Sequence, residues 1–371
     1  MVQTENEKRL SSIWFRFHID WPLLLGILAL MSTSIAVVYS AGGQNIDMVI
    51  RQLTRLGLGI VVMLVVAQIS PFFYQKWAPH LFVVGVALLI AVILVGDMGK
   101  GAQRWLNLGV IKFQPSEIMK LSLPMMMAWF LSNYTLPPKT KTTFIGFVII
   151  AIPTLLIAKQ PDLGTSLLVA SSGFFALFLA GLRFRIIIGL VLAIGAFLPI
   201  LWFYLMRSYQ KQRVLTFLNP ENDPLGSGYH IIQSKIAIGS GGLEGKGWLH
   251  GTQSQLEFLP ERHTDFIFSV FSEEFGFIGV VLLLALYAFV IIRGMLIAVR
   301  AQEAFTKLLA GSLILTFFVY LFVNIGMVSG LLPVVGVPLP LVSYGGTSIV
   351  TLMASFGILM AIATNKRLLA N

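Results

Sequence analysis

The chain reads as an all-α polytopic membrane protein of about ten transmembrane helices, and three observations carry that reading. Hydrophobic residues fill 57% of its 371 positions and charged residues 11%, where a soluble protein carries roughly 25% charged residues. Mean hydropathy is +0.85. Apolar runs at or near the roughly 20 residues that cross a bilayer recur from end to end.

In order, those runs are 21–41, 52–69, 79–97, 116–132, 143–159, 165–181, 185–206, 266–292, 307–329 and 345–364. The second and fourth carry charge in their first turn, and the fifth holds Pro153. Residues 1–20 are polar, and the run after them is long and lacks a small-residue cleavage site, so it reads as an uncleaved first span. Cysteine is absent, so no disulfide can brace an exported loop.

Orientation follows the Lys and Arg of short loops. With both termini cytoplasmic, the inner side takes Lys8, Arg9, Arg16, Lys76, Lys139, Lys141, Arg183, Arg185, Arg293, Arg300, Lys307, Lys366 and Arg367, half of the 26 basic residues. Only four of the 16 acidic residues fall there. The formal +10 is therefore a topology signal, and nucleic acid is not an expected partner. Lys100, Arg104, Lys112 and Lys120 run against the rule, because they crowd one short outer loop.

One membrane domain, 1–371, is expected, interrupted by a long outer loop at about 207–265. That loop is not low-complexity. It holds a glycine-dense piece, Gly239 to Gly247, and apolar residues at helical spacing in Tyr229–Ile238, which predict a short amphipathic helix on the membrane surface. No internal repeat of the kind many transporters show is visible.

Four segments can carry chemistry. Glu257-Phe-Leu-Pro-Glu261-Arg262-His263-Thr264-Asp265 places four charges and a histidine where the chain enters hydrocarbon, and an ionisable group at such depth is by default a functional candidate. Helical spacing puts Ser269, Ser272 and Gly276 on the Asp265 face, a small polar stripe suited to a water-filled wall, with Glu274 opposite. The alternative for Thr264 or Asp265 is a helix N-cap. In the second segment, Pro115 suits the first turn of the fourth helix, and Glu117 and Lys120 are i,i+3 neighbours able to pair. Arg104 and Lys112 have no partner nearby in sequence, and a diphosphate suits such an electropositive pocket. Third, Gln160-Pro161-Asp162-Leu163-Gly164 reads as a tight turn or as a second outer carboxylate. Fourth, Pro333, Pro338 and Pro340 forbid a regular helix before the last span, so that apolar backbone must be buried in protein or line a cavity. His230, His250 and His263 lack zinc-site spacing, and no metal ligand set is expected.

The runs GAQRWLNLG, FQPSEIMK, QPDLGTS, the stretch from Gly228 to Phe268, and PVVGVPLPLVSYGGTS resemble the SEDS (shape, elongation, division, sporulation) family, its elongation branch most closely. The likeness covers nearly the whole chain. It implies a peptidoglycan glycosyltransferase that polymerises lipid II at the outer face of the bacterial inner membrane. It also implies a class B penicillin-binding protein as transpeptidase partner, with other membrane proteins of the elongation machinery. Asp265 matches the family's essential carboxylate, and Glu117 and Lys120 match a functionally important pair. An inverting transfer would use Asp265 as general base, with Arg104, Lys112, Lys120 and Arg262 neutralising diphosphate and a divalent cation (Mg2+ or Mn2+) as an optional aid. A flippase for the same lipid and a non-catalytic scaffold are the competing readings. A flippase needs charges near the midplane, whereas these map to outer ends.

Overall fold

The computed structural model describes residues 18–99, 102–107, 112–206, 208–222, 226–256, 258–259 and 261–365. Each predicted run is occupied by a helix: α1 (Trp21–Ala41), α2 (Ile46–Ala67), α3 (Pro71–Val95), α4 (Pro115–Ser132), α5 (Thr140–Lys159), α6 (Leu163–Leu179) and α7 (Phe184–Ile200). The long loop then contributes α8 (Ser208–Leu218), α9 (Ser227–Ser240) and α10 (Thr252–Gln255), and α11 (Ile267–Arg300), α12 (Ala304–Val328) and α13 (Thr347–Thr364) follow. Eight helical segments are long and apolar enough to cross a membrane. Those of α4 and α6 are not among them: α6 is only 17 residues, and α4 carries the Glu117–Lys120 pair. The protein is a multi-helix membrane protein. The short outer loop departs from the all-helical expectation, as β1 (Asp97–Gly99), β2 (Ala102–Asn107) and β3 (Lys112–Phe113) form an antiparallel sheet.

Local chemistry starts the helices where the sequence suggests. Asp20 accepts the Leu23 amide at 3.1 Å with Pro22 at the first turn, and also pairs with Arg293 at 2.6 Å, tying the start of α1 to the far part of α11. Asp162 caps α6 by accepting the Thr165 amide at 3.2 Å.

Two expectations about this region are refined by packing. The helix predicted at Tyr229–Ile238 exists as α9, with Ile236 exposed and its other face turned to protein. Ile231, Ser234 and Ala237 are buried against α11 and α12, and the Ser234 hydroxyl meets that of Ser269 at 2.8 Å. An amphipathic pattern cannot tell lipid from protein as the apolar partner. The stripe Ser269–Ser272–Gly276 likewise lines no cavity. Ser269 and Ser272 are buried, and Gly276 breaks α11 with φ +61°.

That break has a tertiary cause. The glycine-dense segment lies against the first turns of α11: the Lys246 amide donates to the Glu273 carbonyl at 3.0 Å and the Gly247 amide to that of Glu274 at 3.0 Å. A Cβ on Gly276 would come within 2.3 Å of the Gly245 nitrogen, and one on Gly245 within 2.2 Å of the Glu274 carbonyl oxygen. Only residues without a Cβ allow this approach at positive φ.

The proline-rich segment 333–346 is a buried, non-helical re-entrant stretch, as expected. Its carbonyls are held from every side: Ser34 donates to Val342 at 2.8 Å, Gln52 to Ser343 at 3.2 Å, and Tyr287 to Pro340 at 2.6 Å. Ser34 is fully buried. Ser34→Ala should therefore cost about 1 kcal/mol, the ordinary worth of one buried hydrogen bond, read as a lower thermal midpoint in detergent or nanodiscs.

Candidate functional site

Asp265 is the next-to-last residue of a turn over 261–266, two residues before α11 begins at Ile267. The N-cap is Phe266, which has no side-chain acceptor, and Thr264 turns its hydroxyl to the Glu261 carboxylate at 2.8 Å. Neither of the two capping candidates occupies the cap position. The backbone of this turn is instead stitched to the re-entrant segment. Ser343 donates to the Thr264 carbonyl at 2.6 Å, and the Tyr344 amide to the His263 carbonyl at 2.9 Å. Asn324 donates to both the Asp265 carbonyl (2.9 Å) and the Val337 carbonyl (2.7 Å). These bonds leave the Asp265 side chain half-buried and facing Gly336. Gly336 has φ +77°, and a Cβ there would sit 3.5 Å from Oδ2.

The Glu117–Lys120 pair lies across the same segment. Lys120 Nζ is 2.6 Å from Glu117 Oε1 and 5.2 Å from the centre of the Tyr320 ring. Tyr320 packs on Val337, the neighbour of Gly336, and on Leu168. Lys120 and the segment beside Asp265 are thus linked through one buried cluster. Beside the pair lies a small pocket lined by Thr316, Tyr320, Thr351 and Ser355 among others. Glu117 Oε2 is buried there without a hydrogen-bond partner among the described residues, which a bound polar group would relieve.

Arg104 is not the lone cation its sequence neighbourhood suggests. Nε lies 3.5 Å from Asp162 Oδ2, and Nη2 donates to the Pro161 carbonyl at 2.7 Å. Gln114 reaches the same carboxylate at 3.5 Å. Asp162 is thus a turn residue, a helix cap and an ion-pair partner at once. The backbone of Lys112 pairs with Asn107 in the sheet, while its side chain lies outside the described residues. Glu257, of the charged run, lies outside them too. Arg262 stands apart from the Lys120 group: its guanidinium donates to the Ser254 carbonyl and approaches Gly43 at the end of α1.

The three loop histidines do not converge. His230 stacks on Phe266, His250 bonds the Trp248 carbonyl at 2.8 Å, and His263 packs edge-on against Tyr344. Nor does the carboxylate set near Lys120 fit a resident divalent cation. Asp162 is engaged by Arg104 and Gln114, and Glu117 by Lys120, so among the described residues no pair of free carboxylates near Lys120 faces one point.

Sequence reasoning passed over Tyr320, Asn324, Gly336 and the Lys246–Glu273 pair. Asn324 had a signal, being an amide inside an apolar run one helical turn from Tyr320.

The family described as "Cell cycle protein" (FTSW_RODA_SPOVE) matches residues 14–368. The protein named "Peptidoglycan glycosyltransferase MrdB" of Escherichia coli (strain K12) is 57% identical over 370 residues, covering 100% of this chain and 99% of that one. Among solved structures, a chain of "Structural coordination of polymerization and crosslinking by a peptidoglycan synthase complex" superposes with a TM-score of 0.81 at 31% identity, covering 93% of this chain and 97% of that one. The Thermus thermophilus rod shape determining protein RodA superposes with a TM-score of 0.71 at 27% identity, covering 94% and 97%. A family match over nearly the whole chain, together with these relatives, agrees with the motifs quoted above, and the chain belongs to the FtsW/RodA/SpoVE family of cell cycle proteins.

Proposed function

We propose that the protein is a peptidoglycan glycosyltransferase that polymerises lipid II at the periplasmic face of a bacterial inner membrane. We further propose that it works beside a class B penicillin-binding protein during cell elongation. The observation that carries the reading is the half-buried Asp265 carboxylate beside Gly336, with the Lys120 ammonium against Tyr320, which shares a buried cluster with Val337, the neighbour of Gly336. Polymerisation joins an acceptor hydroxyl to a sugar carbon that bears a diphosphate. The hydroxyl oxygen attacks that carbon, the carbon–oxygen bond to the diphosphate breaks, and its electron pair leaves with the phosphate. The acceptor proton passes to Asp265. A positioned base and fixed cations aimed at the leaving group are what such a step needs. Lys120 and Arg104 supply the cations, with Lys112 as a third candidate.

The names borne by relatives support the same reading: a glycosyltransferase at 57% identity, and a structural neighbour within a complex that coordinates polymerisation and crosslinking. The test is to supply the purified full chain, alone and with its co-expressed penicillin-binding protein, with labelled lipid II. Growth of a glycan ladder is expected. If the protein moves labelled lipid II across vesicles and never lengthens glycan, the reading fails in favour of transport.

A further inference from the structure

We propose a second diphosphate-binding site, built on Arg55 and Tyr344 and distinct from the Lys120 group. The inference rests on the glycosyltransferase reading, because joining two lipid-linked sugars brings two diphosphates to one centre. One leaves, and the other stays attached to the acceptor, a disaccharide away from the reacting hydroxyl. The Lys120 group accounts for only one of them.

Arg55 lies in the third turn of α2, a helix of membrane length. An arginine in such a helix is a functional candidate unless a partner neutralises it. Among the described residues Arg55 forms no ion pair and no hydrogen bond. Its guanidinium lies over the Tyr344 ring, 4.3 Å from the centre, an arrangement that leaves its donors for another acceptor. Arg51 stands one turn earlier on the same face, exposed and likewise without an acidic partner among the described residues. Two like charges at i,i+4 repel, and an anion between them reverses the sign of that interaction. Both belong to the outer side in the expected orientation, where cations are disfavoured without a local role.

Position argues as strongly as charge. Tyr344 is bonded through its amide to the His263 carbonyl, and His263 packs edge-on against the Tyr344 ring. Arg55 is therefore two contacts from the turn that presents Asp265. Asp265 also lies beside Gly336, whose neighbour Val337 shares a buried cluster with Tyr320, the ring against Lys120. The turn that carries the base thus adjoins Arg55 through one set of contacts and Lys120 through another. Gly346 opens α13 with no side-chain cap, and a Cβ there would lie 3.8 Å from Arg55 Nε, so uncapped amides face the same space. Phosphate recognition by a planar guanidinium over an aromatic ring suits arginine better than lysine.

The test uses the full chain in phosphatidylcholine nanodiscs, with undecaprenyl diphosphate counted by native mass spectrometry. Wild type should bind two, Arg55→Gln one and Lys120→Gln one. Arg55→Lys should keep both, the one at residue 55 more weakly, and its thermal midpoint should match wild type. In glycan synthesis, Arg55→Gln should raise the KM for lipid II by about tenfold, the expected worth of a charged hydrogen bond, with a smaller effect on kcat. Two diphosphates retained by a folded Arg55→Gln would overturn the proposal. So would equal displacement of the Arg55-dependent diphosphate by phosphatidylglycerol, which would make the site a general headgroup contact. Wild type that binds two diphosphates but makes no glycan would sink the glycosyltransferase reading and leave the site standing.

Discussion

Asp265→Asn is expected to lower glycan polymerisation by about 10²–10⁴-fold, the range spanned by loss of a positioned general base. The substitution removes the negative charge and the proposed proton acceptor. Asparagine keeps the size and planar shape of the side chain, and the hydrogen bond that anchors this residue runs from Asn324 to the backbone carbonyl, which the change does not touch. The turn remains tied to the re-entrant segment through Ser343 and Tyr344. The thermal midpoint should therefore stay at the wild-type value while kcat collapses. Binding of undecaprenyl diphosphate should persist, since the cations lie on other elements. A scaffold predicts the opposite, with activity of the complex kept in full. If Asp265→Asn polymerises at more than a tenth of the wild-type rate, Asp265 is not the base.

Helix placement was legible because composition dominates it: each predicted apolar run is occupied by a helix. Burial of the segment around Pro338 and Pro340 was legible too, because prolines remove donors that lipid cannot replace. What stayed hidden were relations set by distant parts of the chain. Glu273, Glu274, Phe275 and Gly276 read as ordinary helix, and the break at Gly276 exists only because residues 241–245 approach its backbone. Arg104 and Asp162 lie far apart in sequence, and nothing local announces that they pair. Tyr320 looked like one more aromatic in an apolar span until Lys120 and Val337 were placed on either side of it. Arg55 carried a warning in its charge alone, but its freedom from acids is a three-dimensional fact.

The largest stability effect is expected at Lys246, outside the reacting centre. Glu273 is fully buried, and its Oε1 accepts from Lys246 Nζ at 2.7 Å, Thr252 Oγ1 at 3.0 Å and the Gln253 amide at 3.1 Å. One carboxylate thus gathers the glycine-dense segment and α10 onto the start of α11. Lys246→Met leaves that carboxylate charged in a dry setting with only neutral donors. Breaking a buried pair costs about 3–5 kcal/mol; the Lys246 side chain is 28% exposed, so about 2–3 kcal/mol is expected here. Glu273→Gln alone should cost less, because the freed ammonium reaches water while the amide oxygen still serves Thr252 and Gln253. The two changes together should recover most of the loss, since no uncompensated charge remains. The measurement is thermal unfolding of all three variants in nanodiscs, with limited proteolysis of 239–256 as a local readout. Equal losses in both single variants, or additive losses in the double, would show that packing rather than charge holds this junction. The junction also fixes the first turns of α11, from which the Asp265 turn departs. Lys246→Met should therefore loosen the reacting carboxylate and depress kcat while leaving the affinity for undecaprenyl diphosphate near wild type.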